Sequence, residues 1–247
     1  MVTRLALAVV ATAAMAVPAD AAEKIVKASV ESGGRARAYY LFVPDTVQAG
    51  KPAPLLVLLH GSTQNGRSLV ERWRDVASKE GIILAGPDSI NPIAWNLGAD
   101  APNLLYDVVM AVSATHPVDP RRIYLFGHSA GAVMGLMMAA LESQYFAAVA
   151  VHAGALAPDD YALADRMVRP IPVGIWVGTS DPLFPVPQVH ATRDALMARK
   201  MPVLVTEIKG HTHNYYGRAR AINPEVWMFL RQHALDADPV FVRYDIR

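Results

Sequence analysis

The chain has 247 residues, 53% of them hydrophobic, and carries 23 Lys and Arg against 22 Asp and Glu, a formal net charge of +1. That length and apolar content suit one sizeable core, and the near-neutral balance, with no long run of one sign, gives no reason to expect nucleic acid or an anionic membrane surface as a partner. There is no cysteine, which excludes a disulfide framework, a thiol nucleophile and a cysteine-ligated metal.

Residues 1–21 read as an export leader. Arg4 supplies the positive start, residues 5–17 form an apolar run, and Ala19-Asp20-Ala21 offers an A-x-A cleavage site. The run is shorter than the ~20 apolar residues that span a bilayer, and no second run of spanning length follows. Residues 22–247 are therefore expected to be a soluble, secreted or periplasmic chain forming one domain.

Beyond the leader, apolar and β-branched runs alternate with helical patterns. Strands are expected at 39–43, 55–59, 82–85, 123–126, 147–151, 173–177 and 203–208, and helices at 68–79, 104–115, 130–141, 188–199 and 224–233. Continuous apolar runs such as 55–59 are what a strand buried on both faces requires. The alternation predicts an α/β architecture: a mostly parallel central sheet with helices on both faces. In such sheets ligands bind beyond the carboxyl ends of the strands, and four of these ends carry unusual residues.

The first is His60-Gly61-Ser62-Thr63-Gln64. A buried strand ending in His-Gly makes a sharp turn, and the N–H of Ser62 can then face a substrate oxygen. His60 itself reads as a turn residue. The second is Gly127-His128-Ser129-Ala130-Gly131, between a strand and an apolar helix. Strand, G-x-S-x-G, helix is the turn on which α/β hydrolases carry their nucleophilic serine. Small residues two before and two after Ser129 let strand and helix pass close by. The helix N-terminus and the Ala130 N–H then face the reacting carbonyl. Ser62 and Ala130 are the expected oxyanion donors.

A serine hydroxyl needs a general base, and the base an orienting carboxylate. In this fold they follow the serine in the order acid, then histidine. Asp181, in Thr179-Ser180-Asp181 after the strand at 173–177, is the expected acid, with Asp159 and Asp160 as the fallback. The last strand end, Gly210-His211-Thr212-His213-Asn214-Tyr215-Tyr216, offers two bases, His211 and His213. An H-x-H pair can also bind zinc, but no third ligand at matching spacing accompanies it. His116, His152, His190 and His233 read as surface or packing residues.

These motifs, with Arg121-Arg122-Ile123-Tyr124 and Phe146-Ala147-Ala148-Val149-Ala150, resemble the secreted poly(3-hydroxybutyrate) depolymerase and feruloyl esterase group over about 39–230. The stretch 210–216 is similar to the end of esterase D-type enzymes. Matched by position, that similarity places the base on His213. The resemblance implies an α/β-hydrolase that cleaves esters through Ser129, Asp181 and His213 without metal or organic cofactor. The chain departs from the pattern in having Ser62 where many such depolymerases have cysteine, and in having no polymer-binding domain. About twenty residues separate the strands ending at 151 and beginning at 173, too few for a large lid. The site is expected to be open, with Trp95, Asn96 and Tyr215 lining it and His60 or His211 as a further lining group or alternate base. Rival readings are a serine peptidase of the same fold and an exported binding protein that has lost catalysis.

Overall fold

The computed structural model describes residues 24–244, so the leader expected at 1–21 lies outside the described residues. Among the described residues eight strands form one sheet: β1 (Val26–Ser32), β2 (Arg35–Phe42), β3 (Ala53–Leu59), β4 (Ile83–Pro87), β5 (Val118–His128), β6 (Ala148–His152), β7 (Val173–Gly178) and β8 (Val203–Ile208). Their spatial order is β1-β2-β4-β3-β5-β6-β7-β8. β2 pairs antiparallel with β1 and with β4, and every other neighbouring pair is parallel.

Among the described residues five α-helices cover the two faces: α1 (Gly66–Glu80), α2 (Asn103–Ser113), α3 (Ala130–Leu141), α4 (Val186–Met197) and α5 (Ala219–Leu230). The pleat of β3 shows how the core divides. Leu55, Val57 and Leu59 pack with Val108 of α2, Met134 of α3 and Val189 of α4. Leu56 and Leu58 point the other way, onto Trp73 of α1 and Val226 of α5. Successive side chains of a strand face opposite sides, so a continuous apolar run is what a strand between two helical layers needs.

The chain leaves β3 for β4 on one side and returns to β5 on the other. This reversal opens a crevice at the carboxyl ends of β3 and β5. Ser62 follows the first of these ends and Ser129 the second. The β6–β7 connection holds one short 3-10 helix, Pro158–Arg166, in the length that suggested no lid. Among the described residues no helix is long and apolar enough to cross a membrane.

Candidate active site

Ser129 joins β5 to α3 with φ 56° and ψ −118°, a left-handed conformation that costs a non-glycine residue about 1–3 kcal/mol. The flanking glycines make the turn feasible. A Cβ on Gly127 would lie 2.1 Å from the Gly131 carbonyl oxygen, and one on Gly131 would lie 2.0 Å from that of Leu59. The Ser129 N–H donates to the His152 carbonyl at 3.1 Å, which fixes the turn against the next strand.

Two loops meet this serine. The Ser129 hydroxyl lies 2.9 Å from His213 Nε2, and His213 Nδ1 lies 2.9 Å from Asp181 Oδ2. With Nδ1–H donating to the carboxylate, Nε2 is left to accept the hydroxyl proton. The Asp181 side chain is fully buried, and its Oδ1 accepts the N–H groups of Leu183 at 2.9 Å and Phe184 at 3.0 Å. The Phe184 ring stacks on His213 at 5.8 Å. The two loops are pinned together: Ser180 N–H donates to the His211 carbonyl at 2.9 Å, and Gly210 N–H donates to Thr179 Oγ1 at 2.8 Å. The fallback acids Asp159 and Asp160 sit apart, in the 3-10 helix after β6.

Beside Ser129, Ser62 lines the same cleft, and Ala130 is the first residue of α3. Neither the Ser62 nor the Ala130 N–H finds an acceptor among the described residues. The 60–64 turn is held from outside by the β4–α2 loop. Thr63 N–H donates to Pro92 O at 2.7 Å, Ser62 Oγ to Ile93 O at 2.6 Å, and Trp95 Nε1–H to His60 O at 2.8 Å. Ser89 N–H donates to His60 Nε2 at 3.1 Å. This loop is anchored in turn by the buried pair Arg37–Asp100, 2.6 Å apart.

The cleft over Ser129 has a volume of about 640 Å³ and is lined by Gly61, Gln64, His128, Leu183, Asn214 and Tyr216. None of the residues expected to line it does so, and each has a physical reason. His60 and Trp95 face inward to hold the 60–64 turn. Asn96 closes its own loop, its N–H donating to Asp100 Oδ2 at 2.8 Å and its Oδ1 accepting from Ala99. Tyr215 is wholly buried, its hydroxyl 2.5 Å from Asn223 Oδ1; the next residue, Tyr216, takes the wall position. His211 is turned away from Ser129, its Nε2 lying 3.0 Å from His152 Nε2. Sequence reasoning missed the part played by His128 and His152. The signal was present: His128 stands two residues beyond the apolar run 123–126 and His152 one beyond the run 147–151, on strands that turn out to be neighbours, and they pair in register.

Burial holds the pKa values of His128 and His152 far below the usual histidine range, so both rings are neutral in the folded protein. Unfolded, each titrates near ~6.5. Below that pH the unfolded chain binds protons that the native state refuses, so stability is complete above pH ~6.5 and is lost as pH falls. His60 and His211, also lowered by burial, act in the same direction. Glu142, raised by burial to about 7, opposes them. Two rings against one carboxyl leave a net loss that approaches about 1.4 kcal/mol per pH unit by about pH 5.5 and below. Thermal melts between pH 7.5 and 4.5 are expected to show it as a falling Tm; a flat profile would contradict it. Among the described residues no cluster of three or more His, Asp or Glu is placed to hold a metal ion.

Comparison with known proteins gives a consistent family. The dienelactone hydrolase family matches residues 92–228, a stretch holding Ser129, Asp181 and His213. NocK of Nocardia uniformis subsp. tsuyamanensis, which carries an esterase's name, is 32% identical over 166 residues, covering 62% of this chain and 47% of NocK. A poly(3-hydroxybutyrate) depolymerase of Ralstonia pickettii is 24% identical over 146 residues, covering 50% of this chain and 30% of the depolymerase. The chain thus spans about half the length of the first and less than a third of the second. In fold it is similar to a CE1 ferulic acid esterase from Anaeromyces mucronatus, with a TM-score of 0.67 at 18% identity, covering 85% of this chain and 90% of that one.

Proposed function

The chain belongs to the dienelactone hydrolase family, and on that footing we propose that it is a serine esterase that cleaves carboxylic esters through an acyl-enzyme on Ser129. The observation that carries this reading is the continuous line Ser129 Oγ, His213, Asp181, with both contacts at 2.9 Å.

In the proposed cycle His213 Nε2 takes the hydroxyl proton as Ser129 Oγ attacks the ester carbonyl carbon. Asp181 holds the imidazole with Nδ1 protonated and stabilises the imidazolium. The oxyanion is held by the N–H groups of Ser62 and Ala130, a device worth about 3 kcal/mol per donor in comparable sites. The carbonyl re-forms, the ester C–O bond breaks, and the alcohol leaves with the proton from His213. Water then repeats the sequence on the acyl-enzyme and releases the acid. The short β6–β7 connection favours bulky or polymeric esters, and the leader at 1–21 favours export, which sequencing the N-terminus of protein recovered outside the cytoplasm would test.

The esterase reading is tested with a fluorophosphonate probe and an activity panel. The expected result is labelling of the wild type, none of Ser129→Ala, and turnover of p-nitrophenyl acetate far above that of aminoacyl p-nitroanilides. The reverse preference would make it a peptidase. An unlabelled wild type would make it a binding protein.

A further inference from the structure

Behind the nucleophile three imidazoles run in series across the ends of β5 and β6 to the loop after β8. His128 Nδ1 lies 3.1 Å from His152 Nδ1, and His152 Nε2 lies 3.0 Å from His211 Nε2. All three are buried, at 4%, 0% and 4% exposure. The direction of the chain is set by one more atom: His128 Nδ1 is also 3.3 Å from the His152 carbonyl oxygen. A carbonyl can only accept. Nδ1 of His128 therefore carries its proton, and Nδ1 of His152 accepts. His152 then donates from Nε2 to His211.

A neutral imidazole protonated at Nδ1 has a bare Nε2. On His128 this nitrogen lies on the ring edge away from His152, and it has no partner among the described residues. The adjoining Cδ2 would lie 3.1 Å from a Cβ on Gly61, and both residues line the cleft over Ser129. An acceptor bordering an open cleft can be met by water while the cleft is empty and by a substrate donor when it is filled.

We propose that His128 Nε2 accepts a hydrogen bond from a substrate hydroxyl near the scissile carbonyl, with His152 and His211 as positioning residues that fix its tautomer. The proposal rests on the esterase reading and narrows it to hydroxylated esters.

The hydroxyl can belong to the acyl chain or to the alcohol, and two matched pairs separate these: p-nitrophenyl 3-hydroxybutanoate against p-nitrophenyl butanoate, and 2-hydroxyethyl butanoate against propyl butanoate. In one pair the wild type is expected to favour the hydroxylated ester about tenfold in kcat/KM, and His128→Leu to bring that ratio close to one. No preference in either pair, or a preference that survives in His128→Leu, overturns the proposal. Should that variant not fold, 15N spectra of histidine-labelled wild type decide: His128 protonated at Nδ1 with a bare Nε2 supports it, and a proton on Nε2 overturns it. Wild type that hydrolyses none of the four esters and takes no fluorophosphonate label would instead overturn the esterase reading.

Discussion

Replacing His213 with alanine is expected to lower kcat on p-nitrophenyl acetate by about 10⁶-fold, the scale of loss when a serine hydrolase loses its base. The His213 ring lies 2.9 Å from the Ser129 hydroxyl, in place to take its proton, and no other imidazole contacts that hydroxyl, His211 facing His152 instead. Ser129→Ala should cost about as much, and the double variant little more, because nucleophile and base act as a unit. Asp181→Asn should lose less, roughly 10⁴-fold, through the wrong imidazole tautomer. Steady-state kinetics on the four proteins check the pattern. If His213→Ala kept activity within tenfold while His211→Ala lost it, the base would be His211.

Removing Asp100 should do the most damage to stability. Its side chain is fully buried, and it accepts from Arg37 at 2.6 Å, from Ile90 N–H at 2.8 Å and from Asn96 N–H at 2.8 Å. Asp100→Ala leaves the buried guanidinium without a counter-charge, a change that costs about 3–5 kcal/mol, or a drop in Tm of about 10 °C for a chain of this size. Arg37→Met combined with Asp100→Leu should be much milder, because no lone charge remains. Urea unfolding of the three proteins separates a charge effect from a packing effect: equal losses in the single and double variants would rule out the former. The damage should reach catalysis as well. The loop that Asp100 anchors also holds Ser62, Thr63 and His60, so kcat should fall while KM changes little.

The sequence was readable where a run of apolar or β-branched residues marked the element, whether fully buried as in β3 or half-exposed as in β8. The run at 203–208 and the helix at 130–141 have the bounds that periodicity predicts, and β3 differs only by two residues at its start. β1 escaped notice because it is an edge strand with exposed Lys27 and Glu31 among its residues, so its pattern is polar. α5 begins at Ala219 rather than at 224, with Pro224 inside it; a proline there reads as a helix start because position N1 is where proline is best tolerated. The motif glycines and the order of serine, acid and histidine were local signals, legible without the fold. The cleft walls were not. Whether Tyr215 or Tyr216 faces the cleft depends on the roll of one loop, and whether Trp95 faces substrate or backbone depends on a hydrogen bond to a residue 35 positions away.

The serine and the imidazole that meets it are 84 residues apart in sequence, and that imidazole is 32 residues from its carboxylate. Each comes from a different strand end, and nothing local to any of the three segments brings them together. A chain diluted out of denaturant can therefore regain helices, and much of its collapse, while still without the proposed esterase activity. On the proposed esterase reading, the first turnover reports molecules in which β5, β7 and β8 have all taken their native places, making an ester assay a counter of wholly refolded chains.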